Sequence, residues 1–277
     1  MDHETIRAEL PSLVAGHLPR NVHRFKFRIY DDKPPVSALG FQVDPEPFQG
    51  VVIAITESAI VIKIARTVFG VVDRQLASEI PRIGTTVRVT PYARHHFDGT
   101  RVDAPTEEVR HTADGRTYTV RSVILGGALT RLPVPKPRCA ELAALIEQVE
   151  RLPAPDGFRR IAHLLVDAGA RDFTCVDPDD ADIITTSPAL RFTVTTLKFT
   201  GQVTVLYERG ADLYAVELHR NGELVDRVDE VYFDDLGHIL EQLIDDGGWR
   251  QIRIETISSS RPGLATPTQR RSDHTTS

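Results

Sequence analysis

Cysteine, tryptophan and methionine are nearly missing from this chain, which has two, one and one of them in 277 residues. Cys139 and Cys175 are too few for a disulfide framework, and a structural zinc site normally takes four ligands, so both read as small buried hydrophobes. No apolar run approaches the roughly 18 residues that a membrane helix needs. The opening MDHETIRAEL lacks the apolar core of a signal peptide, so a cytoplasmic protein with no membrane partner is expected. Also missing are the phosphate loop G-x-x-x-x-G-K-[ST], G-x-G-x-x-G after a strand, the G-x-S-x-G elbow and H-E-x-x-H. These absences weigh against an enzyme, and no catalytic residue, metal ligand or cofactor is assigned from sequence.

What is present is ordinary for a globular protein of two modest domains, with 41% apolar and 26% charged residues. Charge divides unevenly. Residues 1–135 carry 17 Lys+Arg against 15 Asp+Glu, 136–257 carry 13 against 23, and 258–277 carry 3 against 1. The middle segment would repel phosphate backbones, so any nucleic-acid partner belongs to the first half, and the acidic half suits a basic protein.

The clearest architecture lies in 48–92. A strand Val51 to Thr56 turns at Glu57-Ser58, Ile60 to Ala65 runs back with alternating apolar positions, and Phe69 to Val72 follows. After a polar arm, Pro81-Arg82-Ile83-Gly84 leads into Val87-Arg88-Val89-Thr90. The elements suit a small antiparallel β-barrel of SH3-like type, whose closure would remove exposed edges. The marks G-x-V-I-x-x-T, V-x-K-I-A-R, V-V-x-R-x-x-L and P-x-x-G-x-x-V-x-V resemble the KfrB-type domain of accessory proteins of conjugative plasmids and integrated mobile elements. The resemblance covers about a sixth of the chain. It implies a bacterial mobile-element context and a barrel without catalytic residues.

A helix at Asp2 to Ala15 and an edge strand at Phe25 to Tyr30 precede the barrel, and a hairpin at Glu107 to His111 and Thr117 to Leu125 is expected to extend its sheet. Three alternate prolines in Leu132 to Pro137 mark an extended linker, giving domains at 1–130 and 138–257 joined by 131–137. Helical spacing places helices at Ala140 to Leu152 and Gly157 to Ala168. Strands follow at Asp172 to Val176, Arg191 to Thr196, Val203 to Glu208, Leu213 to His219 and Glu223 to Phe233, with Asn221-Gly222 as a tight turn between two central strands. A helix capped at Asp234 or Asp235 and a last strand, Trp249 to Ile257, complete an α+β domain with helices on one face of an antiparallel sheet. Residues 258–277 read as a disordered tail.

Candidate contact residues are few. Arg24, Lys26 and Arg28 alternate with Phe25 and Phe27, so cations and rings lie on opposite strand faces; the cations could track phosphates or simply protect an edge. Arg94, His95 and Phe97 open a polar cluster with His96 and Asp98-Gly99, read as a solvated turn that could touch a phosphate or an aromatic partner. A metal-dependent hydrolase would have to use His95, His96 and Asp98 with a carboxylate of the acidic half. Acidic runs at 177–182 and 226–235 read as a solvated loop and an edge stripe, with Val225, Val231 and Phe233 turned to the core. The expectation is therefore a non-catalytic accessory protein that binds a protein partner, with nucleic-acid binding through the first half as the alternative and oligomeric state open.

Overall fold

The computed structural model describes residues 1–22, 24–179, 182–183 and 185–257. The chain is α+β, mostly sheet with few helices, and among the described residues no helix is long and apolar enough to cross a membrane. Asp2 caps the first helix, α1 (His3–Val14), by accepting the amides of Glu4 and Thr5, and Ile6, Leu10 and Val14 form its buried stripe at i, i+4, i+8. The stripe covers one face of a sheet made from β1 (Lys26–Tyr30), β2 (Phe48–Ile55), β3 (Ala59–Ala65), β4 (Val68–Asp73) and β5 (Thr86–Thr90). The first half of β2 pairs with β5 and the second half with β3, with a register shift between Val52 and Ala54. Gly50 sits at this crossing, where a Cβ would lie 2.4 Å from the Lys63 carbonyl oxygen. The opposite face holds a second core of Val52, Ile60, Ile62, Val72, Val87 and Val89, on which Tyr30 stacks with Phe48.

Alternation alone cannot place the next hairpin. β6 (Thr106–His111) and β7 (Thr117–Ser122) form a separate two-stranded sheet, nearly all exposed, and do not extend the first sheet as expected. Polar residues dominate both of its faces, and even Val109 and Tyr118 stay exposed.

The proline-rich segment is anchored. Leu132 is buried and donates its N–H to Glu150, whose other oxygen accepts from Arg131 at 2.5 Å. Glu150 belongs to α2 (Ala140–Arg151), which packs with α3 (Ile161–Asp167) on one face of a five-stranded antiparallel sheet. The helix expected from Gly157 begins only at Ile161, because Asp156 accepts the amides of Phe158 and Arg159 in a turn. The sheet contains β8 (Arg171–Val176), β9 (Ala189–Thr195), β10 (Thr200–Glu208), β11 (Leu213–Arg220) and β12 (Glu223–Val231), in the order β12-β11-β10-β9-β8. Asn221 and Gly222 turn β11 into β12 with φ of 54° and 85°, the left-handed pair such a loop requires. β12 is an edge strand and not central, so Val225 and Phe233 are exposed while Val231 is buried. Asp235 precedes α4 (Leu236–Ile244), which closes the same core.

The last strand departs most from expectation. β13 (Arg253–Thr256) pairs with β5, making the first sheet six-stranded in the order β1-β4-β3-β2-β5-β13. Ile252 and Ile254 enter the first core, so apolar demand there overrides sequence proximity. Residues 253–256 thus belong to the first sheet, across the boundary expected at 131–137.

Candidate functional site

Arg94 does not offer its charge to solvent. Its guanidinium is buried, with Nη2 donating to Asp44 Oδ2 at 2.8 Å and Nε bridging both oxygens, while its backbone N–H donates to Asp44 Oδ1. The same guanidinium lies 4.4 Å above the Phe158 ring and reaches the Phe158 and Gly126 carbonyls. It joins the two halves of the chain. Burying such a pair is costly unless the remaining donors are satisfied, and these carbonyls satisfy them.

Deeper in the junction, Arg159 is fully buried and donates Nε to Asp156, Nη1 to Asp167 and Nη2 to Asp245, at 2.9, 2.9 and 2.5 Å. Its plane stacks 3.9 Å from the Trp249 ring. Tyr92, which follows β5, donates its hydroxyl to Asp167 Oδ2 at 2.7 Å and meets Trp249 and Phe158 edge-on. Burial works against the Arg159 charge, but the carboxylates of Asp167 and Asp245 outweigh it and hold its pKa above the ordinary value. Burial pushes Asp167 up to about 6 against the opposing pull of Arg159. Tyr92 is raised by burial and by the Asp167 charge, and stays protonated. His163 is driven down to about 3 by burial and then by nearby Arg94; its Nδ1 accepts the Arg160 amide, so the neutral ring carries its proton on Nε2, which has no acceptor. Arg159, its three carboxylates and the Tyr92 hydroxyl satisfy one another as structural partners, while His163 Nε2 and Trp249 Nε1 have no partner.

Two recesses are each lined from both halves of the chain. One is a narrow cleft between the halves, lined by Tyr30, Tyr92, Phe158 and Trp249 with prolines 34, 35, 45 and 91, and spanning about 460 Å³ including its open side. The other is a wide, open groove that contains the expected polar cluster: His96, Phe97 and Asp98 face Arg131, Arg171, Asp172 and Phe173 across it. There His96 Nδ1 pairs with the Thr130 hydroxyl at 2.9 Å, and Phe97 packs edge-on against Phe173 at 5.1 Å. Asp98 and Gly99 form the expected turn, in which Thr100 donates to Asp98 and holds its carboxyl below the usual range. His95 instead bridges to Arg101. Among the described residues no three His, Cys, Asp or Glu side chains gather to hold a metal ion.

Lys26 and Arg28 are exposed on the edge strand β1, Arg24 is exposed just before it, and none of the three makes an ion pair among the described residues. Phe25 and Ile29 pack beneath α1 on the opposite face, while Phe27 stays 37% exposed. Asp177 accepts the amides of Arg138 and Cys139 ahead of α2, and Asp180 of the same acidic run lies outside the described residues, as does 258–277. On β12, Arg227 bonds Glu208, Glu217 and Asp229, so the acidic edge is partly neutralised. Sequence reasoning missed Arg159, Asp167, Asp245, Tyr92 and Trp249. Arg159 and Asp245 are 86 positions apart, and the one available signal was a lone tryptophan after Gly247-Gly248. Comparison with protein-family models, with curated proteins and with solved structures finds no match for this chain.

Proposed function

We propose that this is a non-catalytic binding protein that seats a protein partner across the junction of its two sheets. The observation that carries the reading is the locked junction, where Tyr92 donates to Asp167 of the Arg159 network and Arg94 lies on Phe158, with two recesses each lined from both halves. A junction held in this way keeps both recesses preorganised, which lowers the ordering cost of binding. Support for an SH3-like barrel in the first half comes from β2, shared between β3 and β5 with a register shift between Val52 and Ala54. A bacterial mobile-element role, as an accessory protein, rests on the KfrB-type resemblance of 48–92. A photo-crosslinking side chain at position 98, in the wide groove, should capture a host protein that the same group at position 226, on β12, does not. Equal capture at both positions would refute a junction site.

A second reading is favoured by the exposed, unpaired cations Arg24, Lys26 and Arg28 beside the half-exposed Phe27. They could contact phosphates along the β1 edge. DNA or RNA affinity falling steeply with salt, and lost in Lys26→Glu/Arg28→Glu, would establish it; no binding at low salt would remove it.

A further inference from the structure

The hairpin of β6 and β7 stands apart from both main sheets, and a two-stranded hairpin by itself is only marginally stable in water. Every residue of β6 is exposed, and among the described residues β6 pairs with β7 alone, so its outer edge keeps unpaired backbone N–H and C=O groups. The register identifies them. At the end of the hairpin the Thr112 N–H donates to the Arg116 carbonyl at 2.8 Å, and in an antiparallel ladder such bonded positions alternate along the strand. Arg110, Glu108 and Thr106 therefore turn their backbone groups to β7, while Glu107, Val109 and His111 turn theirs outward.

An exposed edge is commonly guarded by charge, and two other edges of this chain are. β1 carries cations only and β12 mostly acids, so each repels its own copy. On β6 the charges are ordered instead. Glu107 and Glu108 precede Val109, and Arg110 and His111 follow it. Val109, at the centre, is 66% exposed. Turned end for end, this edge meets its own complement. An antiparallel strand bonded to the outward groups and centred on Val109 sets Glu107 opposite His111 of the second copy and Glu108 opposite its Arg110, and the two-fold axis repeats both pairs. Centring on Glu108 or on Arg110 would set that residue against itself, and in-register parallel pairing would set every charge against its like.

We propose that β6 pairs antiparallel with β6 of a second copy of this chain, centred on Val109, so that the two hairpins become one continuous sheet. The occupant is another copy because the charge order that this edge requires of a partner is the one it carries itself. A contact through one short strand falls below the roughly 1,200 Å² of a stable interface, so the dimer is weak, with a dissociation constant of about 10 µM to 1 mM. It is independent of the partner seated at the junction of the two sheets.

The full-length protein is followed by sedimentation velocity at low salt, up to about 1 mM, where a dissociation constant in this range is visible. The wild type should pass from monomer to dimer as concentration rises. Glu108→Arg and Arg110→Glu, each with its fold confirmed by circular dichroism, should self-associate at least roughly tenfold more weakly, because both symmetry-related pairs become repulsive. An equal mixture of these two variants should dimerise again, since one edge then offers only cations at positions 108 and 110 and the other only acids; loss of a merely structural residue gives no such rescue. Val109→Cys should form an intermolecular disulfide on mild oxidation, because directly opposed residues of this kind have Cα atoms about 5.5 Å apart, and Thr119→Cys, on the outer edge of β7, should not. A wild type that stays monomeric, single variants that associate like the wild type, a mixture that stays monomeric, or a crosslink at position 119 in place of 109 would each overturn the proposal. Crosslinking from position 98 decides the junction reading separately.

Discussion

Removing the Arg159 guanidinium tests the buried charge network to which Tyr92 is bonded. The side chain is fully buried and faces Asp156, Asp167 and Asp245, whose own side chains are between 7% and 13% exposed. Arg159→Ala leaves three carboxylates in a poorly hydrated space with no cation to hold them, and removes the planar guanidinium that lies on Trp249. Breaking a buried ion pair typically costs about 3–5 kcal/mol, and the lost stacking adds to it without being additive, so we expect a loss of about 4 kcal/mol at pH 7. That is a large share of the roughly 5–15 kcal/mol that holds a folded protein together. Arg159→Lys keeps the charge but cannot bond three carboxylates or stack as a plane, and should lose about 1–3 kcal/mol. The assay is urea unfolding followed at pH 7 and again near pH 4.5. In Arg159→Ala the unpaired carboxyls have folded pKa values above their unfolded ones, so the folded state binds more protons and its deficit shrinks on acidification. A deficit below about 1 kcal/mol at pH 7 would refute the reasoning, since a merely exposed arginine loses no more than that. So would a deficit that grows as pH falls.

Three further outcomes follow from the same geometry. Asp167, raised to about 6, holds a proton in the folded state that the unfolded chain has released, so its ionisation lowers stability between about pH 4 and pH 6; wild-type stability measured relative to Asp167→Asn should fall through that window and level off above it, and a rise would contradict the burial argument. Gly222→Val should cost about 1–3 kcal/mol through backbone strain alone, because φ there is +85° and no atom lies within 4 Å of the added Cβ. Gly210→Ala, equally open and without positive φ, should stay within about 0.5 kcal/mol in the same denaturation series. Trypsin cleavage at Arg131 or Arg138, both with well-exposed side chains, should yield fragments that elute together in gel filtration, because β13 pairs with β5 and Tyr92 bonds Asp167; fragments that separate would favour the independent domains expected from the linker.

Local patterns carried most of the elements. Period-two alternation placed β3 and β5, helical spacing placed α2, and Asn221-Gly222 fixed its hairpin, because each reflects backbone preferences acting within a few residues. The extent of α3 was not legible, since the turn at 156–160 is made by Asp156 bonding amides two and three residues on, which no periodicity announces. Partnership between distant segments was decided only by the tertiary structure. Alternating apolar residues in 252–254 fit either sheet, and the open side of β5 is what recruits β13. Arg94 looked like a surface cation in a polar run, yet Asp44 and Phe158 bury it. Arg159, Asp167, Asp245, Tyr92 and Trp249 meet through packing of separate elements, and a charge is affordable in the interior only once its partners have been assembled around it.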